Sequence, residues 1–139
     1  MIFLAVQPSF ANTSIEVPQS VMATFQKLYP KALEVSWDNY ENEFIAYFEN
    51  EGNYSEATFH ATGKWLETNT SLEEDQLPET IMDYIVQNFE NEVEYYFNLT
   101  FTERPNEVRY YVSFSTENSK VYLIFDGEGT ILETEIEEN

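Results

Sequence analysis

Cysteine is missing from this chain altogether. Disulfides, thiol nucleophiles, thiolate zinc sites and the acylated cysteine of a lipoprotein are therefore excluded. Basic side chains are almost as scarce, with six Lys and Arg against 26 Asp and Glu and a formal charge of −20. Nucleic-acid phosphates are held by Lys and Arg, so this balance argues against a nucleic-acid binder, and anionic membrane surfaces repel such a chain for the same reason. A single histidine, His60, leaves no pair of imidazoles for a metal. No apolar run approaches the roughly 20 residues of a membrane-spanning helix. Phosphate-cradling loops, dinucleotide fingerprints and nucleophile elbows are lacking too.

What the chain does have is apolar and aromatic bulk. Of its 139 residues 42% are apolar and 17% aromatic, most of them Tyr and Phe. That is too apolar for an acidic disordered chain and enough for one domain with a proper core. Aromatic side chains favour strands. The acidity reads first as a solvated, repulsive surface, and second as an attraction for a cationic partner or for calcium. Near the start, Met1 to Val6 is apolar, and Ser9-Phe10-Ala11 fits the small-residue rule for cleavage before Asn12. Residues 1–11 are accordingly read as the end of a signal peptide whose start lies upstream or has been trimmed, and the protein as periplasmic or secreted.

One stretch occurs twice. Phe59 to Thr68 and Phe125 to Thr134 both read F-x-x-x-G-x-x-L-E-T, five identities in ten positions with the glycine in register. An internal repeat of this kind governs the whole fold assignment. The first half opens at Val17-Pro18, with proline expected in the first helical position. Val21, Phe25 and Leu28 then fall on one helical face, widened by Met22 and Tyr29, and Pro30 ends the helix. Leu33, Val35 and Trp37 alternate with polar residues as in a half-buried strand. Further strands are expected through Phe44, Ala46 and Phe48, from Tyr54 to Ala61, and from Lys64 to Thr68, with turns between them.

Residues 69–76 are polar and acidic and read as a linker. Leu77-Pro78 then repeats Val17-Pro18 at an offset of 60. Ile81, Ile85 and Phe89 take the places of Val21, Phe25 and Tyr29, and Tyr95 and Phe97 those of Val35 and Trp37. Farther on the offset is 66, so that Tyr110, Val112 and Phe114 answer Phe44, Ala46 and Phe48. The six additional residues fall in the first hairpin of the second half, with its tip at Arg104-Pro105-Asn106-Glu107. The expected fold is α+β. It has two tandem repeats, 17–68 and 77–137, each one helix followed by a four-stranded antiparallel meander, with the two sheets side by side.

These residues carry a resemblance. Val17-Pro18, the helix through Val21 and Phe25 to Tyr29-Pro30-Lys31-Ala32, Trp37 two places beyond Val35, and the turn at Phe59 and Gly63-Lys64-Trp65 together resemble the beta-lactamase-inhibitor-like, PepSY-like family. The resemblance spans about Val17 to Glu137. It implies a secreted or periplasmic bacterial protein of a kind common in Bacteroidetes, with tandem α/β repeats like those of the beta-lactamase inhibitor protein. The second half departs from the pattern, with Glu90, Glu92, Phe97 and Ile131 where the first has Pro30, Ala32, Trp37 and Trp65. What is carried is a shape, and it names no target.

Chemistry is harder to find. His60 has none of the partners of a catalytic triad and reads as a surface residue. Any carboxylate pair drawn from 26 acids is uninformative. Asp126-Gly127-Glu128-Gly129 begins like a calcium loop but lacks the later ligands, and a glycine-bearing hairpin turn accounts for it. Asn-x-Ser/Thr triplets at Asn12, Asn53, Asn69 and Asn98 are expected by chance in such a composition. Trp37 and Trp65 read as core or core-edge. The alternation of the strands leaves a second face, on which Tyr47, Tyr96, Tyr111 and Tyr122 are expected to point outward with Ile45. Tyrosines there would form a rigid binding platform with hydrogen-bonding tips. The sequence thus points to a non-catalytic, exported protein- or peptide-binding module for a basic partner, an enzyme inhibitor among the forms it could take. No cofactor or metal is called for on that reading. An acidic calcium- or cation-binding envelope protein is the alternative.

Overall fold

The computed structural model describes residues 15–139, so the expected signal peptide, residues 1–11, lies outside the described residues. Helix α1 (Gln19–Leu28) is followed by strands β1 (Leu33–Tyr40), β2 (Glu43–Asn50), β3 (Asn53–His60) and β4 (Trp65–Ser71). A single 3-10 turn (Glu74–Gln76) leads into α2 (Glu79–Phe89), and β5 (Tyr95–Arg104), β6 (Glu107–Ser115), β7 (Ser119–Asp126) and β8 (Ile131–Glu138) complete the chain. The eight strands form one antiparallel sheet in sequence order, joined at its middle by β4 and β5. β4 runs to Ser71, so the first three residues of the acidic stretch 69–76 are strand, and they supply most of that central pairing.

Each helix starts behind a proline. Pro18 and Pro78 stand just before the first helical residue, one place earlier than the spacing suggested. Their carbonyls accept from Val21 and Met22 at 3.0 Å, and from Ile81 and Met82 at 3.1 Å. A cap position needs no N–H, so proline fits there without loss.

Both helices lie on the same face of the sheet. α1 buries Val21 and Phe25 on Phe44, Ala46, Phe48, Ala57 and Phe59, and α2 buries Ile81 and Ile85 on Val112, Phe114, Val121, Leu123 and Phe125. Each fully buried Phe contributes roughly 1.5–3 kcal/mol by area. Phe25 meets Phe48 and Trp37 edge-on, at centroid distances of 5.1 and 5.2 Å. Trp37 and Trp65 sit at the edge of this cluster, as expected. Between them and the sheet centre, buried Thr68 accepts from Trp65 Nε1 at 2.8 Å and shares a 2.5 Å hydrogen bond with the Tyr29 hydroxyl.

The repeated glycine has a physical reason. Gly63 (φ +99) and Gly129 (φ +86) close the β3–β4 and β7–β8 hairpins, and the first turn of a helix rests on each. A Cβ on Gly63 would stand 2.9 Å from the backbone oxygen of Ser20, and one on Gly129 would strike Oγ1 of Thr80. The same helix residues tie the two parts together. Ser20 Oγ donates to the Ala61 carbonyl at 3.2 Å, and Thr80 Oγ1 to that of Glu128 at 3.4 Å. The repeated stretch is therefore a seat for a helix N-terminus.

Bulges change the register that alternation alone predicts. β1 has one between Leu33 and Ser36, where Glu34 takes φ 54, and β5 has one between Tyr96 and Asn98. Beyond the first bulge Trp37 lies opposite Ala46, whereas Leu33 and Val35 stay exposed. In the second half Val112 lies opposite Leu99. Leu99, and not Phe97, thus occupies the place of Trp37, because Phe97 is the extra residue of the bulge. The remaining insertion lengthens the β5–β6 hairpin, whose turn is Pro105-Asn106 between paired Arg104 and Glu107.

Candidate functional site

With both helices on one face, alternation sends every other strand side chain to the opposite face, which no helix covers among the described residues. Three zones follow one another across it. On β1–β3, Tyr47 lies between Ser36 and Glu56, and Tyr54 faces Glu49 one diagonal step away. Partial burial, then the nearby Asp38 and Glu56 carboxylates, push the Tyr47 hydroxyl above its ordinary pKa. Tyr54 is raised by partial burial and by Glu56. Both phenols therefore remain hydrogen-bond donors beside acceptors.

The middle zone is polar. Arg104 on β5 donates through Nε to Glu67 Oε1 at 2.8 Å and through Nη1 to Glu107 Oε2 at 3.0 Å. Arg109 Nε lies 3.4 Å from the same Glu107 oxygen. Asn69 donates to Glu67 at 2.9 Å and accepts from Thr102 Oγ1 at 2.5 Å. Two of the six cations are thus tied into acids on this face.

The third zone lies on β5–β8. Tyr111 faces Thr100 and Ile124, and Tyr122 faces Ser113 and Glu135. Phe97, displaced outward by its bulge, meets the Tyr122 ring edge-on at 5.8 Å, and the Lys120 ammonium lies 6.0 Å from the Phe97 centroid. The Tyr122 hydroxyl donates to Glu137 Oε1 at 3.3 Å.

Of the four tyrosines picked out by alternation, three point outward. Tyr111 and Tyr122 are diagonal neighbours, while Tyr47 is four strands from Tyr111, about 19 Å at ~4.8 Å per strand. Tyr96 is the correction. It lies opposite buried Phe114 on the helix face, with ring centroids 5.8 Å apart. Burial and the Glu74 carboxylate raise its pKa. The bulge at Phe97 turns it inward, since one extra residue inverts every assignment on one side of it. Tyr40, Tyr54 and Tyr95, exposed by 70%, 49% and 58%, also belong to the outer face. Tyr54 was legible from its place two residues from Glu56, whereas Tyr95 needed the bulge.

The other candidates serve turns. His60 Nδ1 accepts from the Thr62 amide at 3.2 Å and lies 3.0 Å from its hydroxyl. Asp126 Oδ1 accepts from the amides of Glu128 and Thr130, both at 2.9 Å, which closes the β7–β8 turn with the carboxylate a calcium loop would need. Among the described residues no three His, Cys, Asp or Glu side chains are grouped to hold a metal ion. No helix among them is long and apolar enough to cross a membrane.

Comparison with known proteins follows the fold closely. The family described as "putative beta-lactamase-inhibitor-like, PepSY-like" matches residues 39–133. A crystal structure of a BLIP-like protein from Bacteroides fragilis superposes with a TM-score of 0.77 at 24% identity, covering 94% of each chain. A DUF2874 family protein from Bacteroides ovatus gives 0.74 at 28% identity over 88% of this chain and 89% of its own. A protein of Bacteroides eggerthii described as putatively periplasmic gives 0.72 at 20% identity over 88% and 90%. No curated protein matches the sequence. Two helices on one eight-stranded antiparallel sheet are thus a BLIP-like fold.

Proposed function

Since the chain belongs to the beta-lactamase-inhibitor-like, PepSY-like family, we propose that it is an exported, non-catalytic module that binds a protein or peptide on the open face of its sheet. The observation that carries this reading is the uncovered face itself, with Tyr47, Tyr111 and Tyr122 directed outward and carboxylates between them. Tyr offers contact area at low entropic cost and a hydrogen-bonding tip. The surrounding acids favour a basic partner and speed its encounter. Inhibition of a secreted or periplasmic enzyme is one form such binding takes. That a protein of the same fold is described as putatively periplasmic supports export.

The element order, helix then four strands twice over, and the separate core under each helix support descent from two tandem copies of one unit. An acidic cation-binding protein remains the alternative, and it rests on charge alone. Calorimetry with calcium decides it. Our reading predicts neither binding heat nor a rise in melting temperature.

The test of the proposal is capture from envelope extract and culture fluid at low salt, with the wild-type chain and with Y47A/Y111A/Y122A. Loss of the retained partner in the triple variant supports the outer face. Equal retention removes it.

A further inference from the structure

The join between the two halves of the sheet is incomplete. β4 pairs with β5 only from Thr68↔Glu103 to Ser71↔Thr100, and one further bond runs from the Leu72 amide to the Leu99 carbonyl at 2.9 Å. β5 itself continues back to Tyr95, with β6 along its whole length on the other side. Among the described residues, 95–98 therefore have a strand on one side only, although they lie in the middle of an eight-stranded sheet. A cleft of about 710 Å³ occupies the missing place. Four residues of strand span about 13 Å at ~3.3 Å each.

The gap is held open. After Ser71 the chain would have to continue straight to fill it, but it turns away toward the start of β3. Asn53 Nδ2 donates to the Ser71 carbonyl and to Gln76 Oε1, each at 2.8 Å, and Gln76 Nε2 returns a bond to Asn53 Oδ1 at 3.2 Å. Gln76 Oε1 also accepts from the Glu73 amide at 2.8 Å, fixing the 3-10 turn that forms the far wall. An edge kept apart by four such bonds is preformed for a ligand and requires no rearrangement to receive one.

The walls state what the ligand is. Glu73 and Glu74 stand on one side, Glu94 at the end, and Tyr95, Tyr96 and Phe97 along β5. No Lys or Arg is among the lining residues, and Lys120 lies 6.0 Å from the ring of the lining Phe97. Aromatic faces beside carboxylates suit an ammonium or guanidinium on an apolar stem, while an open strand edge suits extended main chain.

We infer that this gap is a strand-addition site for an extended peptide segment carrying Lys or Arg, bound alongside residues 95–98 of β5. The site adjoins the outer face where Phe97 meets Tyr122, and lies apart from Tyr47, four strands away from Tyr111. A second copy of this chain is a poor occupant, since it brings more acid to an acidic cleft.

The probe is acetyl-Val-Lys-Val-Lys-Val-amide, titrated into ¹⁵N-labelled protein at low salt. Saturable shifts at the amides of Tyr95–Asn98 are expected, with at least tenfold slower hydrogen exchange there. Affinity should fall at least tenfold for the peptide N-methylated at alternate residues, for its Glu-containing counterpart, and in E73Q/E74Q. It should be unchanged in Y47A, which alters the outer face on β2 away from the cleft. No saturable shift, or equal affinity for both the N-methylated and the parent peptide, overturns the proposal. So do shifts confined to the outer-face tyrosines, which would place the peptide on that surface. Concentration-dependent protection of residues 95–98 without peptide would assign the gap to a second copy and also overturn it.

Discussion

Replacing the two repeated glycines by alanine separates two costs that usually come mixed. Gly52 (φ +92) closes the β2–β3 hairpin, and a methyl group there would have nothing within 4 Å, so G52A carries the backbone term alone. That term is about 1–2 kcal/mol for an L-residue held in left-handed conformation. Gly63 and Gly129 have similar φ values, and a helix presses on each. Forcing a methyl into such contacts adds about 1–3 kcal/mol, so G63A and G129A should lose about 2–5 kcal/mol each. The two then part company. At Gly129 the obstacle is the Thr80 side chain, whereas at Gly63 it is the Ser20 backbone oxygen. In a T80A background the cost of G129A should fall by about 1 kcal/mol, and in an S20A background that of G63A should not fall. Urea denaturation of the single and double variants measures this. Equal losses for all three glycine variants would refute the seating of the helices on the hairpins.

Other perturbations follow from the same packing. F59A and F114A each empty a fully buried site and should destabilise by about 3–5 kcal/mol, read by chemical denaturation. Burial raises the pKa of Glu103, which faces the helix side opposite Thr68. Stability tied to its protonation is fully present below the unfolded-state pKa of about 4.3 and is lost as pH rises through the higher native value. E103Q should therefore melt above the parent at pH 7, with the difference closing below about pH 4. R104A breaks contacts with Glu67 and Glu107 that are well exposed, so its loss should stay within about 1 kcal/mol and shrink in salt.

Helices were the most legible elements, because a 3.6-residue stripe bounded by prolines admits little else: Val21 with Phe25 and Ile81 with Ile85 are the buried residues observed. The tip of the long hairpin was equally plain, since Pro105-Asn106 has few other uses. Strand faces were legible only up to the bulges. A bulge arises from one unpaired residue and leaves no periodic trace, so alternation sends Tyr96 outward and Phe97 inward, the reverse of their positions. The glycine repeat was visible as a pattern, but its reason was not. It depends on contacts of Ser20 and Thr80 with turns 43 and 49 residues away. The gap beside β5 was hidden for a similar cause, as it is set by how far β4 follows its neighbour before Asn53 and Gln76 draw the chain aside.

The central claim is that the open face of the sheet binds a partner, and one comparison tests it most directly. The amount of partner retained at low salt is measured for the wild-type chain, for Y47A/Y111A/Y122A, and for L28A/V86A, which alters exposed apolar residues on the two helices. The account predicts at least a tenfold loss in the tyrosine variant and none in the helix variant. Retention that survives the tyrosine changes, or that fails only when the helices are altered, would contradict it.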